Sequence, residues 1–67
     1  MKSVISINPE VMHGEPVFEG TRVPIATFFG CLEHGMSMRE FIEQYPSVTK
    51  LLIDRLLEEK RAELALI

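Results

Sequence analysis

The sequence predicts a mainly α fold, a three-helix bundle preceded by a small N-terminal β-hairpin element. Three observations carry that expectation. Apolar residues recur at helical spacing in three segments after residue 24. Those segments carry their own start and stop signals. Pro9, Gly14, Pro16, Gly20 and Pro24 break up everything before them, leaving room only for turns and short strands. At 67 residues the chain is expected to form a single domain, with 1–24 as the β and turn element and 25–67 as the bundle.

In the N-terminal element, Ile5 and Ile7 alternate with Ser6 and Asn8, which predicts a brief half-buried strand. Asn8-Pro9 and His13-Gly14-Glu15-Pro16 are turn signals. Val17-Phe18 reads as a second strand, and Arg22-Val23 as a third extended stretch. The Glu19-Gly20-Thr21 turn between them calls for a positive φ at Gly20. A lone hairpin is marginal in water, so this one must lie on the helices or pair with another chain.

The first helix is expected to start at Pro24, whose missing N–H is no loss at a first helical position. Ile25, Phe28, Phe29 and Leu32 form its apolar face, and Gly35 provides a left-handed stop. Gly30, in mid-helix, suggests close approach of a neighbouring backbone. Ser37 and Glu40 make a capping box for the second helix. Met38, Phe41, Ile42 and Tyr45 line one side of it, and Tyr45-Pro46 ends it. Ser47 or Thr49 caps the third helix, with Leu52, Ile53, Leu56, Leu57 and Leu64 as the buried stripe. Lys50, Asp54, Glu58 and Arg61 lie opposite, and Lys50–Asp54 and Arg55–Glu59 have the spacing of ion pairs.

Composition narrows the function classes. A chain 46% hydrophobic with mean hydropathy +0.13 is not disordered. So small a domain cannot hide that much apolar surface alone, which predicts an oligomer or a protein partner. One cysteine, Cys31, allows no internal disulfide, so a reducing cytoplasm is the expected compartment. Neither a signal peptide nor a membrane-spanning run is evident. The net charge of −3 allows at most a local basic patch for nucleic acid.

Three helices, the last two joined by a short turn, describe a helix-turn-helix. In that geometry Thr49, Lys50 and Arg55 at the start of the third helix are the base-contacting candidates. Arg39 on the second helix is the phosphate contact. The competing reading is a solvated face, because Asp54 and Glu58 beside them repel phosphate. Leu64, Leu66 and Ile67 lie beyond what a small core covers. They read as an anchor in a partner's groove, or as a tail that folds back or frays. Cys31 and His34 have a spacing that metal ligands can use, but a zinc site needs three or four ligands and His13 lies in a distant turn. No metal, cofactor or catalytic centre is expected.

The run Gly14-Glu15-Pro16-Val17-Phe18-Glu19-Gly20-Thr21-Arg22-Val23-Pro24 resembles the signature of a small prokaryotic family, domain of unknown function 433. Its most telling members here are Gly14, Pro16, Gly20, Thr21, Arg22 and Pro24. Asn8-Pro9-Glu10-Val11, Leu32-Glu33-His34-Gly35-Met36-Ser37 and Tyr45-Pro46-Ser47 are similar to that family's other conserved links. The resemblance implies a homeodomain-like or winged helix-turn-helix fold. It also implies an antitoxin role, similar to VapB-type antitoxins, with a PIN-like nuclease toxin and operator DNA as partners. His13 departs from the family's usual glycine, Glu19 from its basic residue, and Lys50-Leu51-Leu52 from its more acidic helix start. Arg22 reads as an ion pair joining hairpin to helix, or as a DNA or toxin contact. The expectation is a homodimeric, non-catalytic, antitoxin-like regulator, with a protein-interaction module lacking any DNA role as the alternative.

Overall fold

The computed structural model describes residues 3–65. Strand β1 (Ile5–Ser6) pairs antiparallel with β2 (Val17–Phe18), Ile5 opposite Phe18 and Ser6 opposite Val17. A bridge from Val17 to Pro24 extends the ladder by one more stretch, as the Phe18 N–H donates to Val23 O and the Ile25 N–H to Pro16 O. Helices α1 (Ile25–Glu33), α2 (Met38–Gln44) and α3 (Lys50–Ala65) follow. The protein is a small, mainly α bundle with an N-terminal hairpin.

Between the strands the chain makes an Asx turn, with Asn8 Oδ1 accepting from the Glu10 N–H at 2.9 Å. A short 3-10 turn, Met12–Gly14, comes next. Met12 and His13 both hold φ above +50°, a left-handed backbone that costs an ordinary side chain about 1–2 kcal/mol each.

The helices end where their chemistry dictates. Pro24 is the N-cap of α1, one residue outside the helix rather than its first residue, because its ψ of 142° is extended. Past α1, Gly35 takes φ +90°. Its N–H reaches Leu32 O and the Met36 N–H reaches Cys31 O, which closes a Schellman motif. Ser37 and Glu40 form the capping box in both directions, each bond 3.1 Å. The Glu40 carboxyl is held below the usual carboxylate range, chiefly by the hydrogen bond it accepts from the Ser37 backbone N–H. Thr49, not Ser47, caps α3 by accepting from the Leu52 N–H at 3.3 Å. An added Cβ on Gly30 would meet nothing within 4 Å, so this glycine faces open space and no backbone packs on it.

Phe28 of α1 is the hub of the core. Its ring meets Phe18 of β2 edge-on at 5.9 Å, Phe41 of α2 at 5.1 Å and its neighbour Phe29 at 5.2 Å. Val4, Ile25, Val48, Ile53 and Leu56 complete the buried cluster. Two of these escape the sequence patterns: Val4 precedes the expected strand, and Val48 sits in the turn before α3. Ile7, expected to face inward, is 67% exposed.

Glu59 ties the two ends of the fold together. Its Oε1 accepts from the Val4 N–H at 2.8 Å and its Oε2 from Ser3 Oγ at 3.0 Å, across more than fifty residues. The expected Arg55–Glu59 pair is therefore not made, whereas Lys50–Asp54 is, at 3.0 Å. Leu57 and Leu64 are not part of the buried stripe. Along α3 the stripe runs from Ile53, 1% exposed, to Leu57 at 37% and Leu64 at 71%. A 16-residue helix is about 24 Å long, and the core underneath is used up before it ends.

Candidate functional site

The short turn Tyr45–Thr49 sets α2 against α3 and opens a groove between them of about 490 Å³. Met38, Ile42 and Ile53 give it apolar walls, and Arg39, Glu43 and Lys50 its charged lining. Two of the four expected DNA-contacting residues, Arg39 and Lys50, thus share one groove. Both are exposed and each is engaged on its own helix. Lys50 Nζ lies 3.0 Å from Asp54 Oδ2, and Arg39 Nε lies 3.9 Å from Glu43 Oε1. Such i,i+4 pairs contribute only a few tenths of a kcal/mol each, so both cations can exchange partners.

Thr49 is exposed but its hydroxyl oxygen is occupied as the α3 cap. Arg55 is exposed and makes no ion pair or hydrogen bond among the described residues. The outer surface of α3 is mixed: Leu51, Asp54, Arg55 and Glu58 are all exposed there. Of the expected partner-anchoring residues, Leu64 is exposed on the α3 stripe, while Leu66 and Ile67 lie outside the described residues.

The Gly-Thr-Arg run lies in the turn after β2, on the hairpin side of the α2–α3 turn. Gly20 takes φ +76°, as the turn requires. Thr21 Oγ1 donates to Phe18 O at 2.9 Å and accepts from the Val23 N–H at 3.1 Å, so this hydroxyl locks the turn. Pro16 supplies the carbonyl that receives the Ile25 N–H, Gly14 closes the 3-10 turn at φ +86°, and Pro24 caps α1. All of these are structural parts. Arg22 is different: it is exposed and forms no ion pair among the described residues, which corrects the expectation of a salt bridge from hairpin to helix. It lines a second cleft of about 650 Å³, between the hairpin and the α2–α3 turn.

Cys31 is half-buried against the core, and His34 is the C-cap of α1, with Nδ1 2.8 Å from Gly30 O. Among the described residues no three His, Cys, Asp or Glu side chains converge on a point where a metal could sit. No helix among them is long and apolar enough to cross a membrane.

Searches of curated proteins and of solved structures found no match. The family comparison matches residues 5–58, from β1 through most of α3 and including both clefts, to a family described as "Protein of unknown function (DUF433)". The chain belongs to that family.

Proposed function

We propose that this protein is a non-catalytic, cytoplasmic, antitoxin-like regulator of a type II toxin–antitoxin module. It neutralises a PIN-like nuclease toxin by binding it directly. The observation that carries this reading is the apolar stripe of α3, buried at Ile53 and laid bare at Leu57 and Leu64. An amphipathic helix that outruns its own domain is suited to a partner's groove, with anchors at i, i+4 and i+11. Lys60 and Glu63, paired at 3.3 Å, flank that stripe as a polar rim.

As a homodimer the protein also binds its operator, with the starts of two α3 helices entering the major groove. Lys50, Arg55 and Thr49 then meet the duplex and Arg39 a phosphate. A second copy is needed because one presents few cations on a chain of net charge −3. The mixed outer face of α3, with Leu51, Asp54 and Glu58 exposed, favours a second reading: protein binding alone.

Co-expression with the nuclease encoded by the adjacent gene tests the first reading. The whole chain relieves growth arrest, and a chain ending at Glu63 does not; rescue by the shortened chain would refute it. A gel shift on the upstream region separates the two readings. Lys50→Ala with Arg55→Ala should weaken binding and flatten its salt dependence.

A further inference from the structure

We infer that the cleft beside Arg22 is a binding site for a carboxylate carried on a short aliphatic group. Its volume, about 650 Å³, falls within the range of small-ligand sites. The apolar part of the lining comes from Val11, Val17 and Val23. Val17 is 2% exposed yet stands outside the main core cluster, because Phe18, its neighbour on the strand, takes the inward side of the pleat. The cleft therefore has a small apolar wall at Val11 and Val17, continuous through Val23 with the edge of the core.

Apart from the Thr21 hydroxyl, which is spent on its own turn, each polar side chain of the lining has a donor to offer. Ser6, Asn8, Arg22 and Ser47 all line the cleft. Among the described residues, neither serine hydroxyl nor the guanidinium makes a hydrogen bond. Asn8 uses only its Oδ1, leaving its NH₂ free. No carboxylate of the described residues joins the lining. A set of donors around an apolar patch, with one permanent cation and no anion, selects an anion with an apolar body. A guanidinium also matches a carboxylate in a two-bond fork. The turn holding Arg22 is rigid: the Thr21 hydroxyl and the backbone pairs Phe18–Val23 and Ile25–Pro16 bracket it on both sides. Arg22 is thus presented by a preorganised scaffold.

The ligand can be a free aliphatic acid, or an Asp or Glu flanked by aliphatic residues in another protein. Amide NMR shifts on titration of the full chain distinguish these. The probes are N-acetyl-leucine, its amide, and an end-blocked Ala-Asp-Val peptide. N-acetyl-leucine or the peptide should shift the Ser6, Val17, Arg22 and Ser47 amides, and the tighter of the two identifies the source. N-acetyl-leucine amide should bind at least tenfold more weakly than the acid. Arg22→Gln should weaken binding at least tenfold, with the Phe18 and Ile25 amide shifts reporting that the turn is intact, and Arg22→Lys should restore part of it. Equal binding of acid and amide, binding indifferent to Arg22→Gln, or no shifts with either carboxylate at 10-millimolar order would overturn the assignment. None of these readouts depends on toxin or DNA.

Discussion

Replacing Glu59 with alanine should unfasten the N-terminal strand from α3. The Val4 N–H donates to the carboxylate over 2.8 Å at a partly buried site. A hydrogen bond to a charged acceptor contributes about 1.5–3 kcal/mol, and the exposed Ser3 bond adds little. The expected loss is about 2 kcal/mol, a large share of the roughly 3–10 kcal/mol that a domain of this size possesses. At about 4–8 °C per kcal/mol for so small a domain, Tm should fall by roughly 8–16 °C. Glu59→Gln keeps one acceptor oxygen and should lose about half as much. The control is Glu58→Ala, the exposed neighbour, expected within about 0.5 kcal/mol of the parent. Urea denaturation gives the energies, and hydrogen exchange at the Val4 amide locates them. If Glu59→Ala matches Glu58→Ala, the clamp contributes nothing and the reasoning fails.

Two further outcomes follow from local geometry. Gly20→Ala places a Cβ where nothing lies within 4 Å, so its cost is that of φ +76° alone, about 1 kcal/mol in a thermal melt. A melt that is unchanged would mean that the turn relaxes freely. Glu40, held below the ordinary carboxylate range in the fold, adds stability above the unfolded carboxylate value of about 4.3, and this is lost as pH falls through the lower folded value. In Glu40→Gln that portion of the acid-side decline should be missing from a stability–pH curve; identical curves would contradict the capping box as its source.

Local chemistry was legible in the sequence wherever it is self-contained. The Ser37–Glu40 box, the Gly35 stop and the Gly20 turn each involve groups within a few residues of one another, and all three form. What escaped is set by distant parts of the chain. A strand of two residues is too short for alternation to fix which side faces in, so Val4 is buried and Ile7 exposed. Glu59 looked like a helix-surface partner for Arg55 because its true partner lies more than fifty residues away. Helical periodicity names the face of α3 that turns inward, but not how far the domain extends beneath it; hence Leu57 and Leu64 stand open. Of the candidate site, periodicity put Arg39 and Lys50 on the polar faces of their helices, and both are exposed; Thr49 and Arg55, named from helix-turn-helix geometry, are exposed too. The cleft beside Arg22 is assembled from a hairpin and a turn between helices, and no single stretch of sequence outlines it.

The most direct test of the partner-binding account is a calorimetric titration of the purified protein with the PIN-like nuclease proposed as its partner. The account predicts a tight complex with a negative heat-capacity change, the mark of apolar burial. It also predicts that Leu57→Lys with Leu64→Lys, which put good helix formers of favourable charge in the C-terminal half of α3, weakens binding at least a hundredfold. Affinity unchanged in that double variant would contradict the account, because the exposed stripe of α3 would then not be the surface that the partner covers.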